Sequence, residues 1–174
     1  LEEARQAQGE IRAGGTDVQA RRAVGTATGD LVDLRDLPGH SAIEEVTAEQ
    51  AEGGDQAKPV LRIGAMVRSA QLAADPRIQS DYPALSRCAK GPIPEVARIA
   101  TVGGALLQRA RCPYFRSPEF NCLKKGGSEC YALSGDHLRH VCFFTGPCIA
   151  PHPSSLGMVL LAHEVQIEVN GSEL

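Results

Sequence analysis

The chain has 174 residues, of which 43% are hydrophobic and 22% are charged, the composition of an ordinary globular protein. This length is enough for one good-sized core or for a small two-part domain. The net charge of −3 leaves no basic surface of the kind that binds nucleic acid, and no apolar run is long enough to cross a membrane. We therefore expect neither nucleic acid nor a membrane as a partner.

The first ten residues, LEEARQAQGE, are polar and charged and do not have the pattern of a signal peptide. The first residue is leucine rather than methionine, so we expect a piece of a longer protein that is cut at both ends. We also expect a cytoplasmic location. The alternative is the periplasm, reached through the signal of a partner subunit.

The predicted elements are short strands and helices that follow one another along the chain. Apolar periodicity, helix caps and Gly/Pro turns give these boundaries. In chain order they are a helix end over 1–8, strands over 10–13 and 31–34, a turn at 37–39, a polar loop over 48–58, a strand over 60–67, helices over 69–74 and 82–89, a strand over 99–102, a helix from Ser154 or Ser155 to about His163, and an alternating, half-buried strand over 165–169. This mixture predicts an α+β fold.

Two glycine pairs, at 14–15 and 103–104, each follow a predicted strand. Glycine adopts positive φ and has no Cβ, so a ligand can approach the backbone closely. Successive N–H groups in such a turn can form a concave anion site, and a threonine stands beside each pair. Two facing loops of this kind would hold a pyrophosphate from both sides. A glycine pair alone usually marks an ordinary turn, and the chain lacks the G-x-G-x-x-G pattern of the Rossmann mode.

Five of the six cysteines fall between Cys112 and Cys148. Disulfides would need a secreted setting, which nothing in the sequence indicates. Zinc sites usually contain short paired spacings such as C-x2-C, and the chain has no such pair. Thiolates also ligate iron–sulfur clusters, and the open spacing favours a cluster over zinc. Some of the thiols could instead be small buried apolar groups, which we predict for Cys88, in a helical stretch, and for Cys142, in an apolar run.

Six segments occur in an informative order: IRAGGTD at 11–17, DLRDLPGHSAIE at 33–44, LRIGAMVRSAQLAADP at 61–76, YPALS at 82–86, ATVGGALLQRARCPYFR at 100–116 and CIAPHPSSL at 148–156. Together they resemble the FAD-binding medium subunit of the xanthine dehydrogenase, or molybdenum hydroxylase, family. The CLKKGGSEC segment resembles the branch whose flavin subunit carries an additional 4Fe–4S cluster, as in 4-hydroxybenzoyl-CoA reductase and the periplasmic aldehyde oxidoreductase.

The resemblance implies an FAD-binding fold of the PCMH/vanillyl-alcohol-oxidase type. Such a fold has two α/β subdomains, here truncated and carrying an irregular cysteine-rich loop. A partial N-terminal FAD-binding subdomain would occupy residues 1–60. The second FAD-binding subdomain would occupy residues 61–174, with the 4Fe–4S insertion loop at about 109–150, and the C-terminal domain of the family would be absent.

The resemblance also implies the cofactor ligands. The first flavin loop corresponds to nine consecutive residues: Ile11, Arg12, Ala13, Gly14, Gly15, Thr16, Asp17, Val18 and Gln19. The second flavin loop corresponds to Thr101, Gly103 and Gly104, and Ser155 stands where the family has a flavin-contacting aspartate. The implied cluster ligands are Cys112, Cys122, Cys130 and Cys148.

Several positions depart from the family pattern, including the GPIPEVARI stretch and Val18, and two of them remove polar groups that would contact the flavin. Ala105 replaces the asparagine of the second flavin loop, and Ser155 replaces the aspartate of the HPSDL motif. One hydrogen bond to a polar ligand contributes about 0.5–1.5 kcal/mol net, so these losses are expected to weaken FAD binding without abolishing it.

The implied role is electron transfer. In the family, a large molybdenum-cofactor subunit acts on an aldehyde, aromatic or N-heterocyclic substrate, and a small subunit carries two 2Fe–2S clusters. The flavin subunit exchanges electrons with an outside partner. We assign no residue to acid–base catalysis, and we interpret scattered histidines such as His137 and His140 as surface or packing residues. The alternative function is a non-catalytic module, either zinc-binding or a decayed flavin domain.

Overall fold

The computed structural model describes residues 9–46, 60–143, 146–169 and 172–173. The helix end predicted over 1–8 and the polar loop predicted over 48–58 lie outside these residues. None of the helices in the described ranges is long and apolar enough to span a bilayer.

The fold combines short strands with short helices, which confirms the α+β expectation. In chain order the elements are β1 (Glu10–Arg12), α1 (Thr16–Ala23), β2 (Leu31–Asp33), β3 (Ile43–Val46), β4 (Val60–Ile63), α2 (Ser69–Ala74), α3 (Pro76–Asp81), α4 (Pro83–Lys90), α5 (Pro94–Ile99), α6 (Val102–Leu106), α7 (Pro113–Arg116), 3-10 turns at Leu123–Lys125 and Tyr131–Leu133, α8 (Ser155–Ala162), β5 (Glu168–Val169) and β6 (Ser172–Glu173). Strands β1 and β2 pair in parallel, whereas β3–β4 and β5–β6 pair antiparallel.

The elements β1, α1 and β2 form a βαβ unit. Parallel strands need a crossover connection, and α1 supplies it. The sequence analysis did not predict α1, although its charges fit the helix dipole, with Asp17 in the first turn and Arg21 and Arg22 in the last. The first glycine pair therefore lies between the carboxyl end of a strand and the N-terminus of a helix.

The main hydrophobic core lies among helices α2 to α6 and α8. Its most buried side chains are Val67, Leu72 and Ile78, and α8 adds Leu156 and Leu160. Helix α2 packs against α4 and α5, and α4 packs against α8. Helices α3, α4, α5 and α7 each begin with proline, whose fixed φ suits the first helical position and whose missing N–H is not needed there.

The predicted helix after the HPSS segment is confirmed, because Ser154 caps α8. Its Oγ accepts a hydrogen bond from the Gly157 N–H at 3.0 Å, and the side chain is fully buried. The predicted helices over 69–74 and 82–89 are also confirmed, as α2 and α4.

Three predicted strands differ from the structure. The strand expected over 60–67 ends at Ile63. The strand expected over 99–102 is absent, because α5 continues from Pro94 to Ile99 and Thr101 makes only a single bridge before α6 begins. At 165–169 only the two residues of β5 are extended and paired, and the apolar side chains at 165, 167 and 169 are all exposed rather than half-buried.

Asp75 joins α2 to α3 and caps α3. Its carboxylate accepts hydrogen bonds from the N–H groups of Arg77 at 2.9 Å and Ile78 at 3.4 Å, and Arg77 Nη2 donates to it at 2.7 Å. The hydrogen bond from the Arg77 side chain is the main reason that the pKa of Asp75 is lowered to about 2.

Replacing Asp75 with alanine is expected to lower the free energy of unfolding by about 1–2 kcal/mol at neutral pH, because α3 loses its N-cap. The folded pKa of about 2 lies below the unfolded value of about 3.9. The carboxylate therefore stabilises the fold above about pH 4, and this contribution is lost as the pH falls towards 2. Urea unfolding of wild type and Asp75→Ala between pH 7 and pH 3 measures the effect, and a difference that stays constant across this range would contradict it.

Candidate functional site

The first glycine turn leaves the N-terminus of α1 open. Gly15 adopts a φ of 82° and precedes the helix, and no side chain caps it. The backbone N–H groups of Thr16, Asp17 and Val18 donate to no acceptor within the described residues. Helix N-termini with open donors attract anions, since the donors and the helix dipole act together. At this turn, backbone N–H groups are therefore available to bind an anion, as the sequence analysis expected.

Arg12 adds a cation beside the same turn. Its Nε is buried and has no hydrogen-bond partner in the part of the chain that the structure describes. A Cβ at Gly15 would lie 3.1 Å from this Nε, so the guanidinium faces the turn. Arg12 Nη1 is held by Asp33 at 3.2 Å. A guanidinium and open backbone donors at one place suit a phosphate group.

The second glycine pair differs from expectation, because its N–H groups are already used. Thr101 Oγ1 accepts from the Gly104 N–H at 3.1 Å and caps α6. The N–H groups of Val102 and Gly103 donate to the carbonyls of Val67 and Ala65, at 2.9 and 2.8 Å. The pair thus forms the first turn of a helix rather than an open turn. Because the N–H groups of Val102, Gly103 and Gly104 already donate within the protein, the prediction that they form an anion-binding concavity is wrong.

The two glycine loops lie side by side. A Cβ at Gly14 would lie 1.9 Å from the carbonyl oxygen of Ile99, so only glycine fits there. A Cβ at Gly104 would lie 3.9 Å from the Cβ of Ala13. The sequence analysis considered two facing loops, and the structure places Gly14 of the first loop against Ile99 and Ala100, directly before the second loop.

The HPSS segment lies near the end of α6. His152 Nε2 is 3.0 Å from the carbonyl oxygen of Leu106. Ser155 is the exposed first residue of α8. Ala105 packs partly buried against the main core.

The CLKKGGSEC segment folds into a tight loop with a cysteine at each end. The backbones of Cys122 and Glu129 form an isolated β-bridge, and the Gly127 N–H donates to the Cys122 carbonyl at 3.0 Å. A Cβ at Gly127 would lie 1.7 Å from the Asn121 carbonyl oxygen, so this closure requires glycine. The loop begins at Cys122 and ends at Cys130, and its closure holds both cysteines at the same cleft.

All four predicted ligands, Cys112, Cys122, Cys130 and Cys148, line one cleft. The remaining walls are mostly apolar and aromatic, and Lys124 is the one charged side chain among its described lining residues. The six cysteines are free thiols. No three His, Cys, Asp or Glu side chains in the described ranges lie close enough together to hold a single metal ion.

A small second core supports the cleft. Ala110, Phe115 and Cys122 are buried together, and three aromatic rings pack beside them. Tyr114 lies 5.0 Å from Phe120 and 6.1 Å from Tyr131 between ring centroids. The Tyr114 hydroxyl also accepts a hydrogen bond from the Asp136 N–H at 2.7 Å. The cysteine-rich stretch thus has packing of its own although it contains little regular structure.

His140 contacts one of the four thiols, a role that the sequence analysis did not give it. Its Nε2 lies 3.2 Å from Cys112 Sγ. Its Nδ1 is buried and has no hydrogen-bond partner among the residues described. No sequence signal indicated this contact, because the two residues are 28 positions apart.

The other two cysteines lie away from the cleft. Cys142 is exposed, so the prediction that it is buried is wrong. Its apolar neighbours Val141 and Phe143 are themselves 39% and 84% exposed, because this stretch runs over the surface. Cys88 is partly buried against the main core as predicted, and burial raises the pKa of its thiol.

Comparison with known proteins identifies the family. The family model described as FAD binding domain in molybdopterin dehydrogenase matches residues 2–173. The chain belongs to this family. It is also 41% identical over 111 residues to the aldehyde oxidoreductase FAD-binding subunit PaoB of Escherichia coli (strain K12). That match covers 62% of this chain and 35% of PaoB, so the chain matches about a third of the length of this relative.

Family membership assigns FAD as a cofactor of this chain. The observation that fits FAD best is the open, cationic turn at the start of α1, with the second glycine loop packed against it.

Proposed function

We propose that this chain is the flavin-binding and 4Fe–4S-carrying electron-transfer part of a molybdenum-containing aldehyde oxidoreductase. The observation that carries the proposal is that four thiols line one cleft. Helix α7, which follows Cys112 of this cleft, is ion-paired through Arg116 to Asp17 of α1, the helix that begins at the first glycine turn. The PaoB relative is named an aldehyde oxidoreductase subunit, which supports an aldehyde as the substrate class. We propose a PCMH-type fold with residues 1–60 and 61–174 as its two subdomains.

FAD would be held through its pyrophosphate at the start of α1. The N–H groups of Thr16, Asp17 and Val18 would donate to phosphate oxygens, and Arg12 Nε would supply a charge-assisted hydrogen bond. Gly15 lets the phosphate approach the backbone because it has no Cβ. At the second loop, Thr101 still has its hydroxyl proton to donate, although its oxygen caps α6.

The four-thiol cleft fits a cluster better than a zinc ion. A zinc ion holds its sulfur ligands about 2.3 Å away, so they must crowd around one point. The described residues contain no such group. A 4Fe–4S cluster is ligated by four thiolates, one at each iron, and therefore accepts thiols spread around a cleft. Lys124 lines the cleft and would offset part of the negative charge of a cluster with four thiolates.

When bound, FAD and the cluster supply the redox chemistry, and the protein supplies position and electrostatics. The walls around the thiols are mostly apolar and would limit the water around a bound cluster. His140 Nε2 is placed to donate a hydrogen bond to Cys112 Sγ, an interaction of the kind that raises cluster potentials. The described residues would thus bind the cofactors and adjust their reduction potentials, and the reaction with the substrate would take place on a partner subunit.

The proposed partners are a large molybdenum-cofactor subunit and a small 2Fe–2S subunit. We expect the full-length subunit to assemble with both as a heterotrimer, and the isolated fragment to behave poorly, since it would expose surface that the partners cover. Anaerobic co-purification with the partner subunits tests this, with about one FAD and about four iron and four sulfide expected per flavin subunit.

The same preparation separates the alternatives. A preparation that contains flavin, and zinc in place of iron, would support the zinc-binding module and exclude the 4Fe–4S cluster. Iron without flavin would indicate a decayed flavin domain, consistent with the losses at Ala105 and Ser155. A stable full-length subunit with no affinity for either partner would contradict the proposed assembly.

A further inference from the structure

A partly buried ion-pair network joins the flavin turn to the cysteine cleft. Asp17, in the first turn of α1, accepts from Arg21 Nε at 2.9 Å and from Arg116 Nη2 at 2.6 Å. Arg116 lies in α7, four positions after Cys112. The side chains are largely shielded, with 19% of Asp17, 19% of Arg116 and 9% of Arg21 exposed. Shielded pairs are screened less by salt than surface pairs.

The contact is reinforced on both sides. Arg116 also donates to the carbonyls of Ala110 and Arg109, at 2.8 and 2.9 Å, so its guanidinium is fixed within the segment that leads into the cleft. The Arg109 N–H donates to Asp17 Oδ2 at 3.3 Å. The carboxylate of Asp17 therefore has both oxygens engaged by protein groups.

The charge balance makes Asp17 hard to replace. Burial, followed by the nearby cations Arg116 and Arg109, lowers the pKa of Arg21. Among the described residues, Asp17 and Glu10 are the acidic side chains that ion-pair with Arg21. Without the Asp17 carboxylate, Arg21 and Arg116 would repel each other and α7 would lose this ion pair to α1.

We propose that the Asp17–Arg116 pair couples the two cofactor sites, so that FAD affinity depends on the state of the cysteine cleft and cluster retention depends on the flavin turn. This rests on the proposed function. Asp17 and Arg116 act as positioning residues: the Asp17 carboxylate holds α7, and only its backbone N–H is directed towards the pyrophosphate. Such coupling between sites is reciprocal and typically changes affinity about 5- to 150-fold.

The test is a double-mutant cycle on the full-length subunit in its assembled complex. Deflavinated enzyme is titrated with FAD by flavin fluorescence, and iron is measured on the same samples. Arg116→Gln and Cys148→Ser are each expected to raise the Kd of FAD about tenfold. The double variant is expected to bind FAD no more weakly than the weaker-binding single variant. Once Arg116→Gln has broken the link to Asp17, a change at the cysteine cleft no longer affects the flavin turn.

Arg111→Gln is the matched control. Arg111 lies in the same segment but is exposed, and among the described residues its side chain hydrogen-bonds only to Gln108, at 3.2 Å. This variant should therefore keep wild-type FAD affinity and iron content. Arg116→Lys keeps the charge but not the fork of donors, and should fall between wild type and Arg116→Gln. If Arg116→Gln does not fold, Arg116→Lys replaces it in the cycle, with a smaller expected effect.

The outcomes separate the coupling from the function beneath it. Suppose that the wild-type enzyme holds both cofactors. If Arg116→Gln then leaves the Kd of FAD unchanged, or if its effect multiplies that of Cys148→Ser, the coupling is overturned and the proposed function stands. A wild-type enzyme that lacks flavin or iron overturns the proposed function and the coupling together. Non-additive losses, with an unaffected Arg111→Gln control, establish the coupling.

Discussion

Replacing Cys148 with serine should remove nearly all of the iron and the broad visible absorbance of the cluster. Cys148 is one of four thiols that line the cleft, and the cluster would lose one of its four thiolate ligands. Serine keeps the size of the side chain but replaces the soft thiolate with a hydroxyl, which binds iron poorly at neutral pH. Iron, acid-labile sulfide and visible absorbance per chain, measured after anaerobic purification, check the result.

Cys142→Ser is the matched control for this experiment. Cys142 lies only six positions before Cys148, but it is exposed and does not line the cleft. Its serine variant should therefore keep full iron and full absorbance. If Cys142→Ser lost the iron and Cys148→Ser kept it, our choice of the fourth ligand would be wrong. Loss of zinc instead of iron from Cys148→Ser would show that the site holds a single ion.

The parts of the fold that the sequence predicted are those with a strong local signal. Ser154 caps α8, and Pro83 begins α4, because these residue types act within one helical turn. The strand predicted over 99–102 failed because an apolar run does not distinguish a strand from a helix end, and Pro94 had already started α5.

The candidate site divides in the same way. The open turn at Gly15 was expected from glycine chemistry, and the four cysteines that line one cleft are those that the family resemblance implied. That they bind FAD and a cluster stays a prediction. Two contacts could not be predicted, because they depend on how the chain closes: Asp17 meets Arg116 across 99 positions, and His140 meets Cys112 across 28. The burial of Cys142 was mispredicted for a related reason, since local hydrophobicity does not say which side of a loop faces the protein.

The side chain at position 15 should decide whether FAD stays bound. Gly15 has a φ of 82°, and a Cβ there would lie 3.1 Å from Arg12 Nε, on the side where the pyrophosphate is proposed to bind. Gly15→Val would therefore displace the guanidinium and block approach to the open N–H groups of α1. We expect purified Gly15→Val to contain little or no flavin, measured by absorbance after release of the cofactor, and to keep its iron in reduced amount because the sites are coupled.

Gly25→Val separates loss of the site from backbone strain. Gly25 follows the same helix, has a φ of 74°, and has no atom within 4 Å of an added Cβ among the described residues. Both variants force a β-branched residue into the left-handed region, at a cost of about 1–2 kcal/mol or more, so their melting temperatures should fall by similar amounts. Only Gly15→Val should lose flavin, because only that position faces Arg12 and the N-terminus of α1. Equal flavin content in the two variants would remove this turn as the pyrophosphate site, whatever the family assigns to the chain as a whole.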